Sequence, residues 1–234
     1  MKNMLNAAAI GGMVLEAFVV LQIAAAADLP TLDQVMDQHI RAIGGREALL
    51  NVGALVLTGH CESTVPDESG PIDILVKSPK VAYDLNGGGL RMGFDGESVW
   101  RAGAAEGLQQ RKGRQFAELV TVFDPSWALQ WKEWYPGMAV KGIQKIGDRE
   151  AYVLETQVGT PATQRMFIDR ESGMLVRYEL GPQIGFTFSD YREVRGSRAA
   201  FAVQQTTAAG ITYTYRFEKM GVAPSAENAR FQPR

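Results

Sequence analysis

Catalysis and metal binding need side chains that trade protons, attack electrophiles or hold ions, and this chain has few. It contains two histidines and one cysteine. His39 falls among apolar positions of a helical pattern and reads as a partly buried or edge residue. His60 and Cys61 are neighbours in a strand pattern, so they point to opposite faces and cannot share one ion. Zinc spacing and haem-attachment spacing are both absent. Asp190 and Glu193 flank Tyr191 and have the chemistry of an acid and base pair, although acidic residues scattered over a sheet ordinarily face solvent. Gly87-Gly88-Gly89 precedes a strand pattern, not the helix whose amino end would hold a phosphate, and is expected to be a hairpin loop. These residues predict a non-enzyme without cofactor or metal.

The aromatic residues point instead to binding. In Phe123-Asp-Pro-Ser-Trp-Ala-Leu-Gln-Trp-Lys-Glu-Trp-Tyr-Pro136, Asp124 or Ser126 can cap a helix, and Pro125 suits only its first turn. A helix from about Pro125 to Tyr135 follows, ended by Pro136 and Gly137. At ~100° per residue, Trp127, Trp131 and Trp134 project within about 60° of one another, with Lys132 and Glu133 opposite. Such a stripe represents on the order of 10 to 15 kcal/mol of gross transfer free energy and must be covered. Two readings stay open: a core helix packed on its own sheet, or a helix roofing a cavity for an apolar ligand. On the second, strand alternation adds Met92, Phe94 and Trp100 to the three indoles as ligand contacts. Arg101 and Arg111 are the basic candidates for a head group.

Elements that position these residues follow from periodicity. Thr31-Leu-Asp-Gln34 has capping-box spacing, and Leu32, Val35, Met36, Ile40 and Ile43 continue a helix that Gly44-Gly45 stops. From Ala54 the period becomes two. Strands are predicted at about 54–63, 70–78, 81–86, 90–94 and 97–102, with Asp95-Gly96 as a two-residue turn before Val99 and Trp100. A short helix at about 114–122 and the tryptophan helix interrupt the series. Strands resume at 138–146, 149–157, 162–169, 173–179, 184–193, 199–206 and 210–219. Ile211, Tyr213, Tyr215 and Phe217 alternate with polar residues, as do Ile184, Phe186 and Phe188, so one face packs. A mainly β fold with a strongly curved antiparallel sheet is expected.

Residues 1–27 read as a secretory signal: Lys2, an apolar run from Ile10 to Ile23, and Ala24 to Ala27 before Asp28. Glu16 and Gln22 within that run leave a retained amino-terminal anchor as the alternative. Residues 28–234 then form one exported domain. The net charge of −2 argues against a nucleic-acid partner, and the single cysteine excludes an internal disulfide.

Several ordered motifs carry a resemblance. They are Ile40-Arg-Ala-Ile-Gly-Gly-Arg-Glu-Ala-Leu-Leu50, Phe94-Asp-Gly-Glu-Ser-Val-Trp100, Tyr135-Pro-Gly-Met-Ala-Val-Lys-Gly142, Ile146-Gly-Asp-Arg-Glu-Ala-Tyr-Val153, Phe167-Ile-Asp-Arg-Glu-Ser-Gly-Met-Leu-Val-Arg177, Asp190-Tyr-Arg-Glu-Val194 and Asn228-Ala-Arg-Phe231. Through them the chain resembles the outer-membrane lipoprotein-sorting (LolA-like) superfamily across nearly all of residues 28–234. The resemblance implies an incomplete β-barrel of about eleven strands closed by helices, with an apolar cavity for the acyl chains of a lipid or lipoprotein and the tryptophan helix in its lid. A periplasmic carrier without chemistry follows. Similar domains are attached to cytochrome subunits of photosynthetic reaction centres, and others sense lipoproteins in envelope stress. The second expectation is therefore a non-catalytic accessory subunit on a membrane complex. A carrier requires a hollow, apolar space beneath the helices, whereas an accessory subunit requires a filled sheet and an outer apolar patch.

Overall fold

The computed structural model describes residues 29–65, 68–87, 89–103, 107–112, 122–157, 163–223 and 231–232. The expected leader at 1–27 and most of the expected helix at 114–122 lie outside them.

Helix α1 spans Leu32–Ala42. Its capping box is present: Gln34 N–H donates to the Thr31 hydroxyl at 3.2 Å, and Thr31 N–H donates to Gln34 Oε1 at 2.8 Å. Two donors left over by the first turn are thereby satisfied. Val35, Met36, His39 and Ile40 form its buried face. Helix α2, Gly45–Asn51, follows at once. Gly44 between them has φ of +117°, and a Cβ there would lie 2.2 Å from the Gly196 carbonyl oxygen. Only glycine permits that approach, which lets Arg198 N–H donate to the Ile43 carbonyl at 2.8 Å and docks both helices on the sheet.

The sheet contains β1 (Leu55–Ser63), β2 (Gly70–Lys77), β3 (Lys80–Leu85), β4 (Leu90–Phe94), β5 (Ser98–Gly103) and β6 (Gly107–Lys112). After the helical crossing come β7 (Ala139–Ile146), β8 (Arg149–Gln157), β9 (Thr163–Asp169), β10 (Leu175–Leu180), β11 (Ile184–Val194), β12 (Ser197–Thr207) and β13 (Thr212–Val222). Among the described residues this is one 13-stranded sheet, not the eleven strands implied by the resemblance. Strand β6 escapes alternation because Gly107-Leu-Gln-Gln-Arg-Lys112 offers one apolar side chain. At the sheet edge, it pairs with β5. The turn after β4 is also one residue longer than predicted. Asp95 Oδ1 accepts from both Glu97 N–H and Ser98 N–H, at 2.9 and 2.8 Å, so the loop runs Asp95–Glu97.

Topology explains the shape. Strand β1 pairs antiparallel with β13, so two meanders, β1 to β6 and β7 to β13, join in the middle of the sheet. The edges, β6 and β7, are consecutive in the chain yet lie at opposite ends of the sheet. Their connection must cross the open side. It carries the last helical residues, 122–123, a 3₁₀ turn Pro125–Leu129, and a single α-helical turn α3, Trp131–Trp134. The result is a curled antiparallel sheet, an incomplete barrel closed by helices.

The tryptophan segment is therefore not the continuous helix its spacing predicts. Asp124 does cap its start, accepting from Ser126 N–H at 2.8 Å, and Pro125 fills the first turn. At Gln130 the backbone leaves the helical region, with φ −112° and ψ 13°. There Gln130 N–H donates to the Trp127 carbonyl at 2.9 Å, and its side-chain amide donates to Ser78 Oγ at 3.2 Å. A tertiary hydrogen bond thus anchors the break, with Trp127 buried in the core and Trp131 and Trp134 partly buried against it.

Candidate functional site

Alternation places the inward residues of the central strands in cross-strand rows. Tyr83 on β3 opposes Met92 on β4, which opposes Arg101 on β5. Phe186 on β11 opposes Gln205 on β12, which opposes Tyr213 on β13. Curvature turns these rows toward one another across the trough. Between them lies a cleft of about 480 Å³. Leu90, Met92 and Val99 line one flank and Leu180, Ile184 and Phe186 the other, with Tyr83, Tyr213 and Tyr215 from the strands between them and Phe123 from the helical crossing. Its size falls in the roughly 300–1,000 Å³ range of small-molecule sites.

Aromatic packing holds these rings in place. Tyr213 stacks on Tyr215 at 6.4 Å, Tyr83 meets Tyr215 edge-on at 6.2 Å, and Phe123 stands edge-on to both Tyr215 and Phe217 at 6.0 Å. Polar groups occur within the wall. The Tyr213 hydroxyl donates to Glu68 Oε2 at 2.5 Å, and the Tyr215 hydroxyl donates to Gln205 Oε1 at 3.1 Å. Glu68 Oε1 lies 3.9 Å from Arg101 Nη2. Burial raises the Tyr213 phenol to about 12, with the Glu68 carboxylate adding to the effect, and raises the Cys61 thiol to about 11. Both stay protonated at neutral pH, so the phenol is a neutral donor.

Two other hollows of comparable size lie on the outer face and are walled by charge. One, about 510 Å³, is bordered by Arg165, Arg177 and Glu179; the other, about 380 Å³, by Asp73, Asp84, Arg91 and Trp100. Apolar walls single out the inner cleft.

The residues expected to contact a ligand are dispersed. Met92 lines the cleft. Phe94 is on the same face but sits in the core at 1% exposure. Trp127 is also a core residue, 2% exposed, with Tyr135 edge-on at 5.8 Å and the His39 ring at 5.6 Å. Beside it there is only about 30 Å³ of space. Trp131 and Trp134 are half-buried against the same core. Lys132 covers the Trp131 ring at 5.1 Å and pairs with Asp33 at 2.8 Å, fastening α3 to α1. Trp100 lies on the other side of the sheet. Phe94 pairs with Val99 facing inward, so the next residue must face out. There the indole covers Gly93, where a Cβ would come within 2.7 Å of it, and donates to the Phe231 carbonyl at 2.7 Å. The hollow space is thus beside the helical crossing and Phe123, not under the indoles.

Tyr83, Tyr213 and Tyr215 were not expected as site residues. Their signal was present in the sequence: hydroxyl-bearing rings at inward positions where leucine or valine would pack a closed core. Arg101 reaches the cleft, whereas the side chain of Arg111 lies outside the described residues.

None of the groups weighed for chemistry, His39, His60, Cys61, Asp190 and Glu193, lines the inner cleft. His39 is buried, not at an edge; its Nδ1–H donates to the Gly173 carbonyl at 2.8 Å, and burial lowers its pKa to about 4. His60 is exposed while Cys61 is buried. Asp190 is exposed and accepts from Arg192 at 2.5 and 2.9 Å. Among the described residues no group of three or more His, Cys, Asp or Glu is arranged to hold a metal ion.

No sequence-family model matches the chain, and no curated protein matches it in sequence. Solved structures do. A LolA superfamily protein from Nitrosomonas europaea superposes with a TM-score of 0.55 at 11% identity, covering 88% of this chain and 99% of its own. An outer membrane lipoprotein-sorting protein domain from Vibrio parahaemolyticus gives 0.57 at 13% identity, covering 85% and 94%. A DUF1329 family protein from Desulfovibrio piger gives 0.53 at 11% identity, covering 86% and 96%. Fold and cleft define the class, a helix-closed half-barrel with an apolar trough. Within that class the chain is similar in fold to LolA-superfamily and lipoprotein-sorting domains, at identities that speak for architecture alone.

Proposed function

We propose that this protein is an exported carrier that holds the acyl chain of a lipid or acylated protein in the inner cleft and performs no covalent chemistry. The observation that supports it is the hollow of about 480 Å³ bounded by Leu90, Met92, Val99, Leu180, Ile184 and Phe186. A hydrocarbon tail leaving water for such walls gains roughly 0.8 kcal/mol per buried methylene, enough for affinity without a bond being made. The fold likeness to lipoprotein-sorting domains agrees with this reading. Export rests on the leader-like residues 1–27; no helix among the described residues is long and apolar enough to cross a membrane.

An accessory subunit on a membrane complex, such as a photosynthetic reaction centre, would need an outer apolar patch. The large apolar residues exposed among those described are Leu29, Leu50, Leu108 and Ile143. They are spread over the chain ahead of α1, α2, β6 and β7. Native mass spectrometry of the protein purified from its own envelope tests the choice. Co-purifying acyl species are expected; stoichiometric membrane subunits with an empty cleft would reverse it.

A further inference from the structure

The cleft is not lined by hydrocarbon alone, and its charged groups select a head. Among the described lining residues only Glu68 and Arg101 carry charge. They stand 3.9 Å apart at the rim, with side chains 26% and 45% exposed, while Tyr215 and Phe186 lie buried below. Glu68 already works on two sides: one carboxylate oxygen accepts from the Tyr213 hydroxyl and the other faces Arg101. A carboxylate or phosphate head drawn to Arg101 must come beside Glu68, so attraction to one charge is offset by repulsion from the other. An ammonium head meets the mirror-image conflict. A head with a hydroxyl or a secondary amide accepts from Arg101 and donates to Glu68 with the ion pair left in place.

We infer that the cleft takes an amphiphile whose head is uncharged and hydrogen-bonding, held at the Glu68–Arg101–Tyr213 rim, with its tail running down toward Met92 and Phe186. This deepens, and rests on, the carrier reading. The rim then acts as a charge filter that passes neutral lipids and resists fatty-acid anions.

The test displaces a fluorescent alkyl probe from the full-length protein at pH 8, using 1-monolauroylglycerol and laurate below their micelle concentrations. Because the tails are identical, their burial cancels and the difference reports the head. Monolauroylglycerol is expected to compete at least about tenfold better than laurate. Glu68→Gln keeps an acceptor for Tyr213 but removes the charge, and is expected to bring laurate to within about threefold of the glyceride. Arg101→Gln, leaving Glu68 unbalanced, widens the gap instead. Laurate binding as well as the glyceride to the wild type, or a gap unchanged in Glu68→Gln of native circular dichroism, overturns the head-group inference while the bound probe sustains the carrier. A probe that does not bind at all overturns both.

Discussion

The Trp100 indole N–H donates to the Phe231 carbonyl across 2.7 Å on the outer face of the sheet, one residue away from Arg101 on the inner face. Phe231 is fully buried by this arrangement. The bond ties the carboxy-terminal end to β5 and has no part in the cleft. Trp100→Phe should therefore lower stability by about 1–2 kcal/mol, the cost of a buried carbonyl losing its donor. Urea unfolding will register that loss, while affinity for an alkyl probe stays at the wild-type value. A drop in affinity matching the drop in stability would show that the outer tie shapes the cleft.

Met92 separates filling the cleft from breaking the core. It is half-buried on a flank with open space before it, so Met92→Trp adds volume where there is room. Probe affinity should fall by roughly tenfold or more with little change in the unfolding midpoint. Unaltered affinity would move the ligand elsewhere.

Trp127 should behave in the opposite way. With about 30 Å³ beside it and 2% exposure, it is a packed core side chain. Trp127→Ala is expected to cost about 3–5 kcal/mol through lost burial and an unfilled cavity. Selective loss of ligand binding at full stability would restore the indole to a binding role.

His39 makes stability depend on pH. The unfolded chain takes up the imidazole proton near 6.5, and the buried ring only near 4 because burial disfavours its charged form. Between those values the unfolded state holds more protons, so stability falls as pH drops through that window and levels off below it. The loss is on the order of 3 kcal/mol. His39→Asn, whose side-chain amide can still donate to the Gly173 carbonyl, should flatten the slope of urea midpoint against pH. An equal slope in the variant would assign the acid sensitivity to other groups.

Much of the architecture is legible in the sequence because it is local. Period-two alternation, glycine turns and the Thr31–Gln34 capping box act within a few residues of one another, and twelve strands and helix α1 fall close to where they predict. The edge strand β6 was hidden because its sequence offers a single apolar residue, Leu108, and so no alternation, while its pairing with β5 is a contact between strands. Spacing also made the indoles a single stripe, but helical spacing assumes an unbroken helix. The bond from Gln130 to Ser78, 52 residues away in the chain, helps set the break that divides them.

The sequence by itself determined which residues of a strand share a face, because that parity is a property of the extended backbone, but not which face turns inward, as Trp100 shows. Which inward residues face a hollow and which face each other was decided only by tertiary structure. Pairing of β1 with β13 joins the two meanders, and curvature brings Met92 and Phe186 to opposite walls of one trough. The crossing between β6 and β7 then brings Phe123 into the lining that also holds Glu68 and Arg101. Those contacts span the whole chain, and their distances follow from how the sheet closes, a quantity that no short-range pattern encodes.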